Sequence, residues 1–205
     1  MADTRLPLRL DFAAGAEPGG VWLHPPPSWH VGGGLHLVTG PKTDFWQRTH
    51  YGFRRDDGHL FHRLVAGDFT LEARVRWAPR SQYDQCGLMV RAGPEGWLKC
   101  SVEYEDERHA RLGSVVTSGG YSDWATQDVP GTVREMSWRV SRRADDFLVE
   151  CAADGRDWRQ VRIAHLADCP EELAAGGYAC SPVGDGFGCA FDFLHFLPCG
   201  WAEHG

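Results

Sequence analysis

Gln85, Arg91, Lys99 and Glu103 are side chains with hydrogen-bonding, charge-pairing and acid–base capacity, and they recur at odd positions in two short segments that also carry Met89 and Trp97. An amide and a carboxylic acid bind hydroxyl groups, a guanidinium and an ammonium receive negative charge, and an indole face packs on the C–H face of a sugar ring. Together they suit a small polyhydroxylated ligand, including anionic ones such as a uronic acid, a sugar phosphate or a carboxylate. Two neighbouring β-strands would bring them together. Along residues 84–91, Cys86, Leu88 and Val90 share one side, with Gln85, Met89 and Arg91 on the other. Along residues 97–104, Leu98, Cys100, Val102 and Tyr104 oppose Trp97, Lys99, Ser101 and Glu103, because strand side chains alternate. One greasy and one polar face per strand predict the floor of a groove. The alternative is a salt-bridged, solvated face, the usual setting of surface charges.

Residues 44–52 add Trp46, His50 and Tyr51 in a run without regular period. This block reads either as a loop that lays rings and an imidazole over the groove, or as a long connection stapled to the sheet by Phe45 and Trp46. Trp124 supplies a further stacking surface.

Strands would carry these residues. Residues 69–77 alternate strictly, with Phe69, Leu71, Ala73, Val75 and Trp77 against Thr70, Glu72, Arg74 and Arg76, as a half-buried antiparallel strand does. Further strands are expected at 8–12, 21–23, 35–38, 111–117, 136–141, 147–152, 159–163, 174–180 and 189–196, separated by glycine-rich turns. Asp154-Gly155 marks a hairpin. Residues 170–173 offer at most one helical turn. Short strands at this spacing predict an all-β fold, a two-sheet antiparallel β-sandwich or jelly roll, as one domain over residues 1–205.

Composition narrows the function. With 21 basic and 28 acidic residues the net charge is −7, so nucleic acid is not an expected partner. No apolar run approaches the ~20 residues of a membrane-spanning helix, and residues 1–6 lack a signal-peptide h-region. The seven cysteines form no C-x-x-C pair; Cys86, Cys100 and Cys151 fall in apolar strand patterns, which predicts free buried thiols and a reducing, cytoplasmic setting. No motif for zinc or calcium is present, and His59 and His62 flank Phe61 as an expected surface pair. No cofactor or metal is expected.

Several blocks together, Asp44-Phe45-Trp46-Gln47-Arg48-Thr49-His50-Tyr51-Gly52, Gly67–Glu72, Tyr83–Arg91, Trp97–Tyr104, Ser114–Thr117 and Ser122-Asp123-Trp124, resemble an uncharacterised domain family that includes the regulation of enolase protein, within the concanavalin A-like lectin/glucanase superfamily. The resemblance spans about residues 10–196 and implies a two-sheet sandwich. It brings no established reaction, and the enolase link belongs to the family's name. Glucanases of the superfamily resemble one another in a Glu-x-Asp-x-Glu strand motif whose side chains face a cleft. Glu103, Glu105 and Glu107 have the alternate spacing but a glutamate in the middle, and Arg108-His109 follow, as at an exposed hairpin tip.

The reading that follows is a non-catalytic carbohydrate-binding domain. Trp46, Tyr51, Trp97 and Trp124 would stack, His50, Gln85 and Glu103 would bond hydroxyls, and Arg91 and Lys99 would receive negative charge. The alternatives are a glycoside hydrolase-like enzyme using Glu103, and a protein-interaction module that regulates a metabolic enzyme.

Overall fold

A computed structural model describes residues 5–202; residues 1–4 and 203–205 of the expected domain lie outside the described residues. Two antiparallel sheets face each other. The eight-stranded sheet runs, in spatial order, Arg159–His165, Asp146–Ala152, Glu135–Arg143, Phe69–Ala78, Gly188–Leu197, Leu35–Val38 and Ser28–Val31, with Leu8–Leu10 also paired to Gly188–Leu197. The seven-stranded sheet runs Tyr121–Pro130, His109–Ser118, Gly96–Tyr104, Gln85–Gly93, Glu172–Cys180, His59–Ala66 and Val21–Leu23. A separate two-stranded hairpin pairs Phe45–Gln47 with Arg54–Asp56. The protein is therefore an all-β sandwich of jelly-roll type. Among the described residues no helix is long and apolar enough to cross a membrane.

The alternating strands build the core as their patterns require. Phe69, Leu71, Ala73, Val75 and Trp77 point inward from one sheet, and Cys86, Leu88, Val90, Leu98, Cys100 and Val102 from the other. The Asp154-Gly155 turn joins two strands that pair antiparallel, Phe147 opposite Ala164. Residues 170–173 form no helical turn; Leu173 enters a strand and is buried against the core. Strands at Ser28–Val31, Phe45–Gln47, Arg54–Asp56, His59–Ala66 and Tyr121–Pro130 carried no period-two signal. His59–Ala66 is apolar on both sides because Phe61 and Val65 face the main core and Leu60 the opposite face. Tyr121–Pro130 is an edge strand exposed along most of its length, so nothing forces apolar residues into alternate positions.

The outer face of the seven-stranded sheet is not simply open to water. Phe45, Leu60, Met89, Trp97, Val115, Tyr178 and Cys180 form a second apolar cluster there, with Trp46 packed against it. Phe45 inserts from the hairpin with its ring edge-on to Trp97 and Tyr178, centroids 6.3 Å away in each case. The hairpin thus roofs part of the sheet and makes the fold three layers deep locally. Beside it, Gly87 pairs with Ser101, where an added Cβ would strike the Cys100 carbonyl oxygen, so only glycine lets the two strands close up at this point.

Candidate functional site

Where the hairpin roof ends, the sheet's outer face opens into a cavity of about 980 Å³. Of the residues expected to bind ligand, Trp46, His50, Tyr51, Gln85, Lys99, Glu103 and Trp124 all line it. Strand register explains the floor. Glu103 pairs with Gln85 and Lys99 with Met89 on one side, Lys99 pairs with Val115 on the other, and Val115 pairs with Trp124. These residues share one face of four adjacent strands.

The hairpin supplies the wall. The Phe45 side chain is enclosed beneath it, while Trp46 lies at the cavity with its indole Nε1–H donating to the Thr49 carbonyl at 3.2 Å. The stapling role and the site role expected for this block are thus divided between neighbours. Gln47 N–H donates to Ser122 Oγ at 2.9 Å, and Arg48 pairs with Glu95 and donates to the Gly120 carbonyl at 3.0 Å. The roof is tied to the sheet at both contacts. The backbone is strained around the opening: Lys42, His50 and Tyr83 have φ of 54°, 81° and 69°, a left-handed conformation costly for residues with a Cβ. Asp84 holds the Tyr83 segment, accepting from the Arg80 and Ser81 N–H groups at 2.8 and 2.9 Å and from the Ser181 hydroxyl at 2.5 Å.

The floor is a connected polar network over an apolar bed. Gln85 Nε2 donates to Glu103, and the Tyr178 hydroxyl donates to Gln85 Oε1 at 3.1 Å. Lys99 Nζ donates to the Phe45 carbonyl at 2.8 Å and lies 3.4 Å from Asp44 Oδ1. That oxygen also accepts the Phe45 N–H at 2.7 Å. Burial pulls the Lys99 ammonium down, but with the Asp44 carboxylate facing it the group stays above its ordinary value, so it stays charged. Burial pushes the Glu103 carboxyl up to about 8, against the pull of Lys99. At neutral pH Glu103 therefore carries its proton and is a hydrogen-bond donor. Burial likewise keeps the Tyr178 hydroxyl protonated.

Two expected ligand residues do not reach this cavity. Trp97 is 0% exposed, enclosed in the second apolar cluster with its Nε1–H on the Pro94 carbonyl at 3.3 Å; it supports the roof and has no free face for stacking. Arg91 is 9% exposed and forks onto Asp56 through two bonds of 2.8 Å, under the hairpin and beside the Phe45 ring. Its charge is already neutralised. Glu105 pairs with Arg111 at 3.6 Å, and Asp106 caps the turn by accepting the Arg108 and His109 N–H groups at 2.7 and 2.8 Å. Glu103 is thus the acidic residue of this run that lines the cavity. His59 is not a surface residue: its Nε2 accepts the Gly40 N–H at 2.9 Å and its Nδ1–H donates to the His24 carbonyl at 2.7 Å.

Lys42, Asp44, Arg55, Tyr83 and Asp123 also line the cavity and were not singled out from the sequence. Asp44, Tyr83 and Asp123 stood inside the blocks that carried the family resemblance. Lys42 and Arg55 had no pattern to mark them. Among the described residues no cluster of His, Cys, Asp and Glu is placed to hold a metal ion.

The family described as "Protein of unknown function (DUF1349)" matches residues 22–199. "Regulation of enolase protein 1" of Saccharomyces cerevisiae is 37% identical over 187 residues, covering 90% of this chain and 93% of that one. A solved structure of a functionally unknown protein from Saccharomyces cerevisiae superposes with a TM-score of 0.79 at 35% identity, over 91% of this chain and 97% of that one. A xylan β-1,4-xylosidase from Bacillus halodurans C-125 gives a TM-score of 0.72 at 15% identity, over 92% of this chain but 38% of that one, a likeness of fold alone. From its matched span and its yeast relative, this chain belongs to the DUF1349 family.

Proposed function

We propose that this chain is a single, non-catalytic binding domain for a small carbohydrate or related polyhydroxylated ligand, held in the cavity beside the hairpin. The observation that carries this reading is the cavity itself: a hydrogen-bonding floor of Gln85, Lys99 and Glu103 beside aromatic walls from Trp46, Tyr51 and Trp124. Its volume of about 980 Å³ lies at the large end of ordinary ligand sites. That size favours a ligand of more than one sugar ring. Tyr51 is 71% exposed and Trp124 43%, so both present faces that a sugar can cover. The seven free cysteines support a reducing, cytoplasmic setting.

A thermal-shift screen against monosaccharides, xylo- and gluco-oligosaccharides, uronic acids and sugar phosphates tests this reading. A ligand at a hundred times its dissociation constant should stabilise the fold by ~2.7 kcal/mol. Trp46→Ala and Trp124→Ala should each weaken that ligand at least ~10-fold, the loss of one stacking face. A flat screen, or affinity unchanged in both variants, removes the assignment.

Two other readings have their own support. The raised Glu103 acid suits a general acid, as a glycoside hydrolase-like enzyme requires; Glu103→Gln abolishing turnover on a bound glycan would establish it. The name of the yeast relative supports a protein-interaction module that regulates a metabolic enzyme. That reading expects a purified partner to bind where sugars do not.

A further inference from the structure

Most of the charges around the cavity are paired within the fold. Lys99 faces Asp44 at 3.4 Å, Arg55 pairs with Asp57 at 2.8 Å, and Asp123 lies 3.5 Å from Arg162. Glu105, which adjoins Glu103, accepts from Gln82 Nε2 at 2.7 Å and lies 3.6 Å from Arg111, which it shares with Asp128. Burial leaves Glu103 protonated. Lys42 stands at the opening, exposed, with no side-chain partner among the described residues. Of the described charged side chains that line the cavity, Lys42 is the one without a partner, in a protein whose overall charge is −7.

Lys42 is also unusually well anchored for a surface lysine. Its backbone has φ of 54°, its N–H donates to the Gly184 carbonyl at 3.1 Å, and its own carbonyl accepts Arg55 Nη1 at 2.6 Å. On either side, Gly40 is held by His59 at 2.9 Å and the Thr43 N–H by the Ser181 carbonyl at 3.1 Å. Among the described residues nothing uses the ammonium that this segment presents. Such local strain at an opening is commonly retained where a ligand needs it.

We propose that Lys42 selects the ligand's charge, so that the cavity takes a sugar acid bearing one carboxylate, with that carboxylate at the Lys42 ammonium and the hydroxyl groups over Gln85 and Glu103. This deepens, and rests on, the carbohydrate-binding reading above. It assigns to Lys42 the role expected of Arg91 and Lys99, both of which are already paired inside the fold.

Calorimetric titration of the full chain with matched sugars tests it: glucose beside glucuronate, galactose beside galacturonate, and the corresponding disaccharides, with glucose 6-phosphate as a doubly charged control. Each acid should bind about fivefold tighter than its neutral counterpart at low ionic strength, an advantage that shrinks as salt screens an exposed pair. Lys42→Met should bring the acid-to-neutral ratio close to one, and Lys42→Glu should invert it. Lys42→Asn, a residue tolerant of left-handed backbone, should match Lys42→Met and so separates charge from strain. Neutral sugars binding as tightly as their acids, or a preference that survives in Lys42→Met, overturns this inference while the binding reading stands. A preference for the phosphate over the carboxylate overturns the single-carboxylate assignment. If no member of either set binds, both readings fall.

Discussion

Trp97→Ala should lower the free energy of unfolding by about 3–5 kcal/mol, the range for removing a fully buried aromatic side chain. Trp97 is 0% exposed and packs against Phe45, Met89 and Tyr178 in the outer apolar cluster. Its loss leaves a cavity beneath the hairpin and removes the ring facing Lys99 Nζ at 5.7 Å. Phe45 is the anchor of the strand that also carries Trp46, so the wall of the site should loosen with it. Urea unfolding monitored by far-UV circular dichroism gives the stability change directly. Trp97→Phe, which keeps most of the apolar volume, should recover more than half of the loss. A change under about 1 kcal/mol in Trp97→Ala would mean that the outer cluster does not hold the hairpin down. Ligand binding should also weaken in Trp97→Ala, but through displacement of the wall. Trp46 and Trp124 are therefore the proper probes of direct contact.

Glu103→Gln should stabilise the protein in alkaline solution, the reverse of what removing a well-paired acid does. Burial raises the Glu103 carboxyl from 4.5 to about 8, so between those pH values the folded chain holds a proton that the unfolded chain has lost. Stability from this group is then fully present below pH 4.5 and falls as pH rises towards 8, following proton linkage. Above that value the folded protein encloses a carboxylate facing Asp44 and Glu105, with Lys99 and Gln85 as its partners. Glutamine reproduces the protonated acid in shape and keeps an oxygen for the Gln85 amide. Because Glu103 retains partial contact with water, the gain should be about 2 kcal/mol at high pH, well below the full linkage value. It should vanish in acid. Melting temperatures of both proteins across the pH range measure it, and parallel curves would remove the buried-acid assignment. A residue that weakens the fold at working pH is what a functional position is expected to look like.

How much of this was legible in the sequence differs between layers. The strict alternation of residues 69–77 specifies a strand with one buried face, because the pleat sends successive side chains to opposite sides. The same rule places Gln85, Lys99 and Glu103 on one face, and that face does line the cavity. The two-sheet antiparallel architecture follows from many such segments with turns between them. Alternation states which side a residue faces, but not what covers that side. Trp97 and Arg91 share the face of Lys99 and Glu103, yet the hairpin at Phe45–Gln47 and Arg54–Asp56 covers Trp97, Arg91 and most of Lys99, whose ammonium bonds the Phe45 carbonyl, and leaves Glu103 at the open end. That roof is set by contacts distant in sequence: Phe45 on Trp97 and Tyr178, Asp56 on Arg91, Gln47 on Ser122. Lys42 is an extreme case, with no periodicity or motif around it; its importance comes from every other charge at the cavity having found a partner or kept its proton. The strands, their inward faces and the sandwich can be read from the chain alone, because local stereochemistry and burial write a period-two pattern. Which polar side chains are spent inside the fold, and which remain for a ligand, is set by long-range contacts, because charge pairing and roofing depend on residues brought together across the whole chain.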